Sequence, residues 1–166
     1  MTVFERIYLD ANVLIDLAQD QGPVGSLLQI ITDSHPQQGR EPLFITSELT
    51  FSEVLVHPYR DRLESLSKFY FQIRSGIYWL NVIPVTFAVL ERAAALRASF
   101  KSLRLPDAVH LSTSQLTSCS HFLTNDLGMS SVAETRHPFR DESMPSINVI
   151  RANADTLSSI LREVAQ

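Results

Sequence analysis

Cysteine is almost missing from this chain of 166 residues, where Cys119 stands alone. One thiol can neither close an intramolecular disulfide nor build a cysteine-cluster zinc site, and such usage fits a reducing compartment, so a cytoplasmic protein is expected. The five histidines are scattered and show no metal-ligand spacing. No uninterrupted apolar run is long enough to span a bilayer, and no membrane association is expected. The stretch Ile7 to Asp16 imitates a signal peptide, but Asp10 and Asp16 interrupt it and no small-residue cleavage site follows. Glycine-rich phosphate loops are absent, which leaves nucleotide hydrolysis of the P-loop type unsupported. No serine, histidine and acid set has the context of a nucleophilic triad. Excess positive charge is lacking too: a net charge of −4 argues against holding nucleic acid by bulk electrostatics. It does not exclude a nuclease, because carboxylates gathered for a divalent cation add negative charge that the cation neutralises.

What is present is the composition of a folded protein, with 45% hydrophobic and 19% charged residues. The length suits one unit spanning residues 1–166, without repeats or linkers. Apolar periodicity predicts a strand over Arg6 to Asp10, a helix over Asn12 to Gln19 with Asn12 as its N-cap, and a helix over Pro23 to Ser34. His35 to Arg40 reads as a loop, Pro42 to Thr46 as a strand, and Ser47 as the cap of a helix that Pro58 ends or kinks. Asp61 to Ser75 reads as an amphipathic helix, Ile77 to Val85 as a strand, Thr86 to Leu103 as one long helix, and Pro106 as the opening of a shorter one. His121 to Thr124 and Ile147 to Ile150 are strands, a loop lies over Ala133 to Pro145, and a closing helix runs from Asn153 to Val164. Strands alternating with helices imply an α/β protein with a mainly parallel sheet of about five strands, covered on both faces.

In such sheets, binding sites form beyond the carboxyl ends of the strands. Asp10 ends the first strand inside an apolar stretch, where its charge must be paired or bound. Asp126 follows the fourth strand in Leu123-Thr124-Asn125-Asp126. Glu53, one turn into its helix, and Asp107, in the first turn of Leu105-Pro106-Asp107-Ala108-Val109-His110, can face the same crevice from the helices. Four acids without a cysteine or histidine cluster favour Mg2+ or Mn2+ over structural zinc. Each acid also has an ordinary account: an Asx turn or cap for Asp10 and Asp126, a helix-dipole partner for Asp107, and an i, i+4 pair with His57 for Glu53. Asp16, Asp20 and Glu91 fall on presumed polar faces, where a solvated role suffices.

The ordered set Leu9-Asp10-Ala11-Asn12-Val13-Leu14, Ser47 to Leu55 around Glu53, Leu105 to His110 and Leu123 to Asp126 resembles the PIN-domain nucleases, and within them the VapC-like toxins of toxin–antitoxin pairs. The resemblance implies a three-layer α/β/α sandwich, a divalent cation, and endoribonuclease activity by metal-activated water. It maps Asp10, Glu53, Asp107 and Asp126 onto the metal-binding acids and Asn12 and Thr124 onto supporting polar positions. It further implies an RNA substrate, a cognate antitoxin and a homodimer. The stretch Leu127 to Ser131 lacks a further acid that some relatives carry.

For substrate contact, Arg97, Lys101 and Arg104 fall at i, i+4 and i+7, one basic stripe of the long helix leading toward Asp107, although a solvated charged face is the commoner origin of such a stripe. Arg60 and Arg62 are lesser candidates, and His110 is either a substrate contact or a core histidine. The cluster Phe69, Tyr70, Phe71 and Ile73 suits a dimer interface or core. Two rivals remain. A magnesium phosphatase would also place an aspartate after the first strand, but prefers a second aspartate where Asn12 stands. A catalytically idle PIN-like module would bind RNA or protein without cleaving.

Overall fold

The computed structural model describes residues 4–36 and 41–164. Five strands, β1 (Ile7–Leu9), β2 (Phe44–Ser47), β3 (Leu80–Ile83), β4 (His121–Thr124) and β7 (Asn148–Arg151), form one sheet in the order β3-β2-β1-β4-β7. Every neighbouring pair is parallel, with Tyr8 opposite Ile45 on one side and Phe122 on the other. Parallel strands need crossovers, and these carry α1 (Ala11–Gln19), α2 (Pro23–Ser34), α3 (Glu48–Val54), α4 (Val56–Arg60), α5 (Glu64–Arg74), α6 (Phe87–Ser99) and α7 (Leu105–Leu116), with α8 (Ala154–Val164) closing the chain. The expected three-layer α/β/α arrangement is what the chain adopts.

Strand alternation splits the core. Ile7, Leu9 and Leu123 face Val13, Leu14, Leu28, Ile31, Leu157 and Ile160, so α1, α2 and α8 cover one face. Tyr8, Ile45 and Phe122 face Leu96 and Leu111 on the other, under α6 and α7. The central strands are buried throughout, as parallel strands between two helical layers must be. The chain steps outward from β1 to β2 to β3, then returns to place β4 on the far side of β1. Strand order therefore reverses between β1 and β4, and a crevice is expected past their carboxyl ends.

Several boundaries differ from the periodicity, each for a local reason. Asp10, not Asn12, is the N-cap of α1, its side chain accepting from the Ala11 N–H. Ser47 caps α3 as expected, but the helix breaks at Leu55 and Pro58 sits in the first turn of α4, where its missing N–H costs nothing. Arg62, at φ 56°, delays α5 until Glu64. The long helix stops at Ser99: Phe100 leaves helical geometry at φ −123°, and both Phe100 and Leu103 pack into the core under Leu96 and Leu111. The loop after Asp126 contains an antiparallel ribbon, β5 (Thr135–Arg136) with β6 (Ser143–Met144). It is tied to α6 through Glu91 with His137 and Arg140, and through Arg92 with Glu142. The anticipated loop over His35 to Arg40 lies partly outside the described residues.

Candidate active site

The first half of the site is built where β1 and β4 end side by side. Asp10, almost wholly buried, accepts from the Ala11 N–H at 2.8 Å through Oδ1, and through Oδ2 from Asn12 Nδ2 at 2.9 Å and Thr124 Oγ1 at 2.6 Å. Thr124 Oγ1 in turn accepts from Asn12 Nδ2 at 3.0 Å and from the Asp126 N–H at 2.9 Å. One threonine hydroxyl thus fixes both acids. Asn12 closes the circuit by accepting from the Asn125 N–H at 2.8 Å. Bonds of this kind satisfy a buried carboxylate without a salt bridge. Asp126 is exposed, and its Oδ1 makes an Asx turn with the Gly128 N–H. The turn is held from the other side by Arg151 at the end of β7, which donates to the carbonyls of Asp126 and Met129.

The second half comes from helices. Glu53 pairs not with His57, which bonds Asp61, but with His110: Oε2 lies 2.9 Å from Nε2. Nδ1 of His110 lies 2.7 Å from the Tyr8 hydroxyl. Ligand atoms of Asp10, Glu53 and His110 all fall within 4.8 Å of one another. Asp107 enters from the first turn of α7. Burial pushes its carboxyl above the ordinary aspartate value, the Asp126 and Asp10 charges add to the shift, and His110 and Arg104 partly oppose it. Such mutual repulsion is what a cation would relieve, so the donor set fits a hard divalent ion.

Of the four predicted acids, Asp10 and Glu53 come within ligand distance of each other, while Asp107 lies near enough to feel the Asp126 and Asp10 charges, and Asn12 and Thr124 bond Asp10. The basic stripe does not form. With α6 ending at Ser99, Lys101 lies in the turn, Arg104 precedes α7, and Arg97 donates to the Leu103 carbonyl at 3.3 Å. His110, at 2% exposure, lies beneath Glu53 rather than on a substrate face. In the Phe69–Ile73 cluster, Tyr70 and Ile73 are core and Phe71 is exposed. Asp16 proved more than a solvated acid, since it accepts from Asn125 Nδ2 at 2.5 Å and braces the β4 turn. Glu91, with its ties to the ribbon, likewise exceeds that role. Sequence reasoning also missed Tyr8, whose only signal was a phenol inside an apolar strand, and Arg151.

The sequence profile of the PIN domain matches residues 7–135, a span that includes all four acids. The chain belongs to the PIN-domain family. Among solved structures, this PIN domain is similar to a toxin–antitoxin complex from Klebsiella pneumoniae, with a TM-score of 0.54 and 27% identity over 72% of this chain and 86% of that one. It also shares its fold with Mycobacterium tuberculosis VapC20, described as a Sarcin-Ricin loop cleaving toxin (TM-score 0.57, 15% identity, 74% of this chain and 92% of that one). A third match is VapBC2 from Rickettsia felis, bound to a DNA fragment from their promoter (TM-score 0.57, 12% identity, 87% and 98%). No curated protein sequence matches the chain. Among the described residues, no helix is long and apolar enough to cross a membrane.

Proposed function

We propose that this PIN-domain protein is a divalent-metal-dependent endoribonuclease and the toxin of a toxin–antitoxin pair. The observation that carries the reading is the approach of Asp10 and Glu53, with ligand atoms within 4.8 Å of each other, beside Asp107, whose carboxyl is raised by burial and by the charges of Asp126 and Asp10. These four acids would hold Mg2+ or Mn2+. When bound, such an ion lowers the pKa of a water for attack on phosphorus and offsets charge on the scissile phosphate. The protein's share is placement. Thr124 and Asn12 fix the Asp10 carboxylate, and Thr124 sets the Asp126 backbone. Arg104, whose charge acts on Asp107, is the basic group best suited to an RNA phosphate.

Similarity to a toxin–antitoxin complex supports an antitoxin partner, and a homodimer is part of the same proposal. The chain as a whole, residues 1–166, would be one nuclease unit acting in the cytoplasm. Incubation of purified protein with generic RNA tests the activity. Cleavage that requires Mg2+ or Mn2+ and disappears in Asp10→Asn is expected. Tight RNA binding without cleavage under any metal would replace this reading with an idle binding module. Growth arrest on expression, relieved by a co-expressed neighbouring small protein that binds this chain, tests the toxin role, and sedimentation tests the dimer.

A further inference from the structure

We propose that His110 and Tyr8 form a buried positioning pair that holds Glu53 for the cation, an inference that rests on the metal-dependent reading above. Tyr8 is inaccessible to solvent and His110 nearly so, yet both are polar, and each must be satisfied from within. They satisfy each other at 2.7 Å, and the remaining ring nitrogen reaches Glu53 at 2.9 Å. A carboxylate only accepts, so Nε2 must carry a proton and donate to Oε2. The Tyr8 hydroxyl, 2.7 Å from Nδ1, holds the other edge of the ring and so fixes its orientation beneath Glu53.

The pair joins three elements. Tyr8 lies on β1 two residues before Asp10, His110 on α7 one turn after Asp107, and Glu53 on α3. Without the imidazole, Glu53 is a long, partly exposed side chain with several rotamers. With it, one oxygen is committed to Nε2–H, and the carboxylate is held with an oxygen within 4.8 Å of an Asp10 oxygen. Ligating carboxylates are commonly held by such outer partners, and losing one costs about 10–100-fold in metal affinity. A proton on Nε2 also bars that nitrogen from ligating the ion itself.

The test is calorimetric titration of Mn2+ alone into the full chain, without RNA, for the wild type, His110→Leu, His110→Gln and Tyr8→Phe. His110→Leu should bind Mn2+ about 10–100-fold more weakly. His110→Gln, whose amide donates from nearly the same point, should recover most of that loss, and Tyr8→Phe should fall between. RNA cleavage by His110→Leu should return toward wild type as Mn2+ saturates, because affinity and not turnover is altered. Nitrogen-15 NMR of the wild-type imidazole should retain its Nε2–H signal when Mg2+ saturates the site. Loss of that signal, with no recovery in His110→Gln, would overturn the proposal in favour of direct ligation. Wild-type Mn2+ affinity in folded Tyr8→Phe and His110→Gln, together with any leucine variant that folds, would reduce the pair to core structure. A wild type that binds no Mn2+ and cuts no RNA would remove the nuclease reading and this inference together. Binding and cleavage indifferent to all variants would remove only this inference.

Discussion

The two halves of the site hold their carboxylates differently. On the strand side, Asp10 and Asp126 sit in a short-range web in which a cap N–H, Asn12 and one threonine hydroxyl satisfy nearly every polar group. On the helix side, Glu53 and Asp107 arrive from α3 and α7, one steadied across the core by His110 and the other left raised by burial and like charge. The strand half is therefore part of what stabilises the fold. The helix half carries unrelieved charge that a cation would offset.

That contrast can be broken by substitution. Asp10→Asn should lower RNA cleavage by about a hundredfold or more, since a metal-binding charge supplies several kcal/mol to the transition state. Asparagine can still cap α1 through its one oxygen, but its NH2 then faces the Asn12 and Thr124 donors, so the thermal midpoint should fall as well. Asp107→Asn should lose activity comparably but raise the thermal midpoint of the metal-free protein and abolish stabilisation by Mg2+. A metal-free Asp107→Asn less stable than wild type would contradict the unequal halves. Thr124→Val leaves activity impaired and also strands the Asp126 N–H and one Asp10 lone pair, at a cost of about 2 kcal/mol in chemical denaturation.

A smaller effect separates the halves by pH. The folded protein holds the Asp107 proton more tightly than the unfolded chain does, so this group destabilises the metal-free fold above its raised pKa. As pH falls through the window between that raised value and the ordinary 3.8, the penalty is relieved. The difference in thermal midpoint between Asp107→Asn and wild type should accordingly shrink on acidification. The least effect concerns Cys119, whose thiol burial pushes up to about 11. Alkylation at pH 8 should be slow in the native protein and fast in denaturant.

The same division governs what could be read before folding. Asp10 and Asp126 were visible because a charge closing an apolar strand breaks a local pattern, and alternation of strands and helices was enough to set the sheet. Ser47 and the start of α2 followed from capping and Pro23. The break at Phe100 was hidden, since the residues from Thr86 to Leu103 keep a helical pattern and only packing of Phe100 and Leu103 against Leu96 decides otherwise. With that break, the basic stripe vanished. The Glu53 partner was hidden as well: His57 is four residues away and His110 fifty-seven, and only the fold ranks them. Tyr8 lay in a run of apolar residues, where a phenol reads as core until its partner is known.

The central claim is that four acids from four elements hold one cation site that RNA cleavage requires. Anomalous scattering from crystals soaked in Mn2+ tests it most directly. A manganese peak among Asp10, Glu53, Asp107 and Asp126 that disappears in the inactive Asp10→Asn is the predicted result. Metal-dependent cleavage with the peak elsewhere, or with none at these acids, would contradict it.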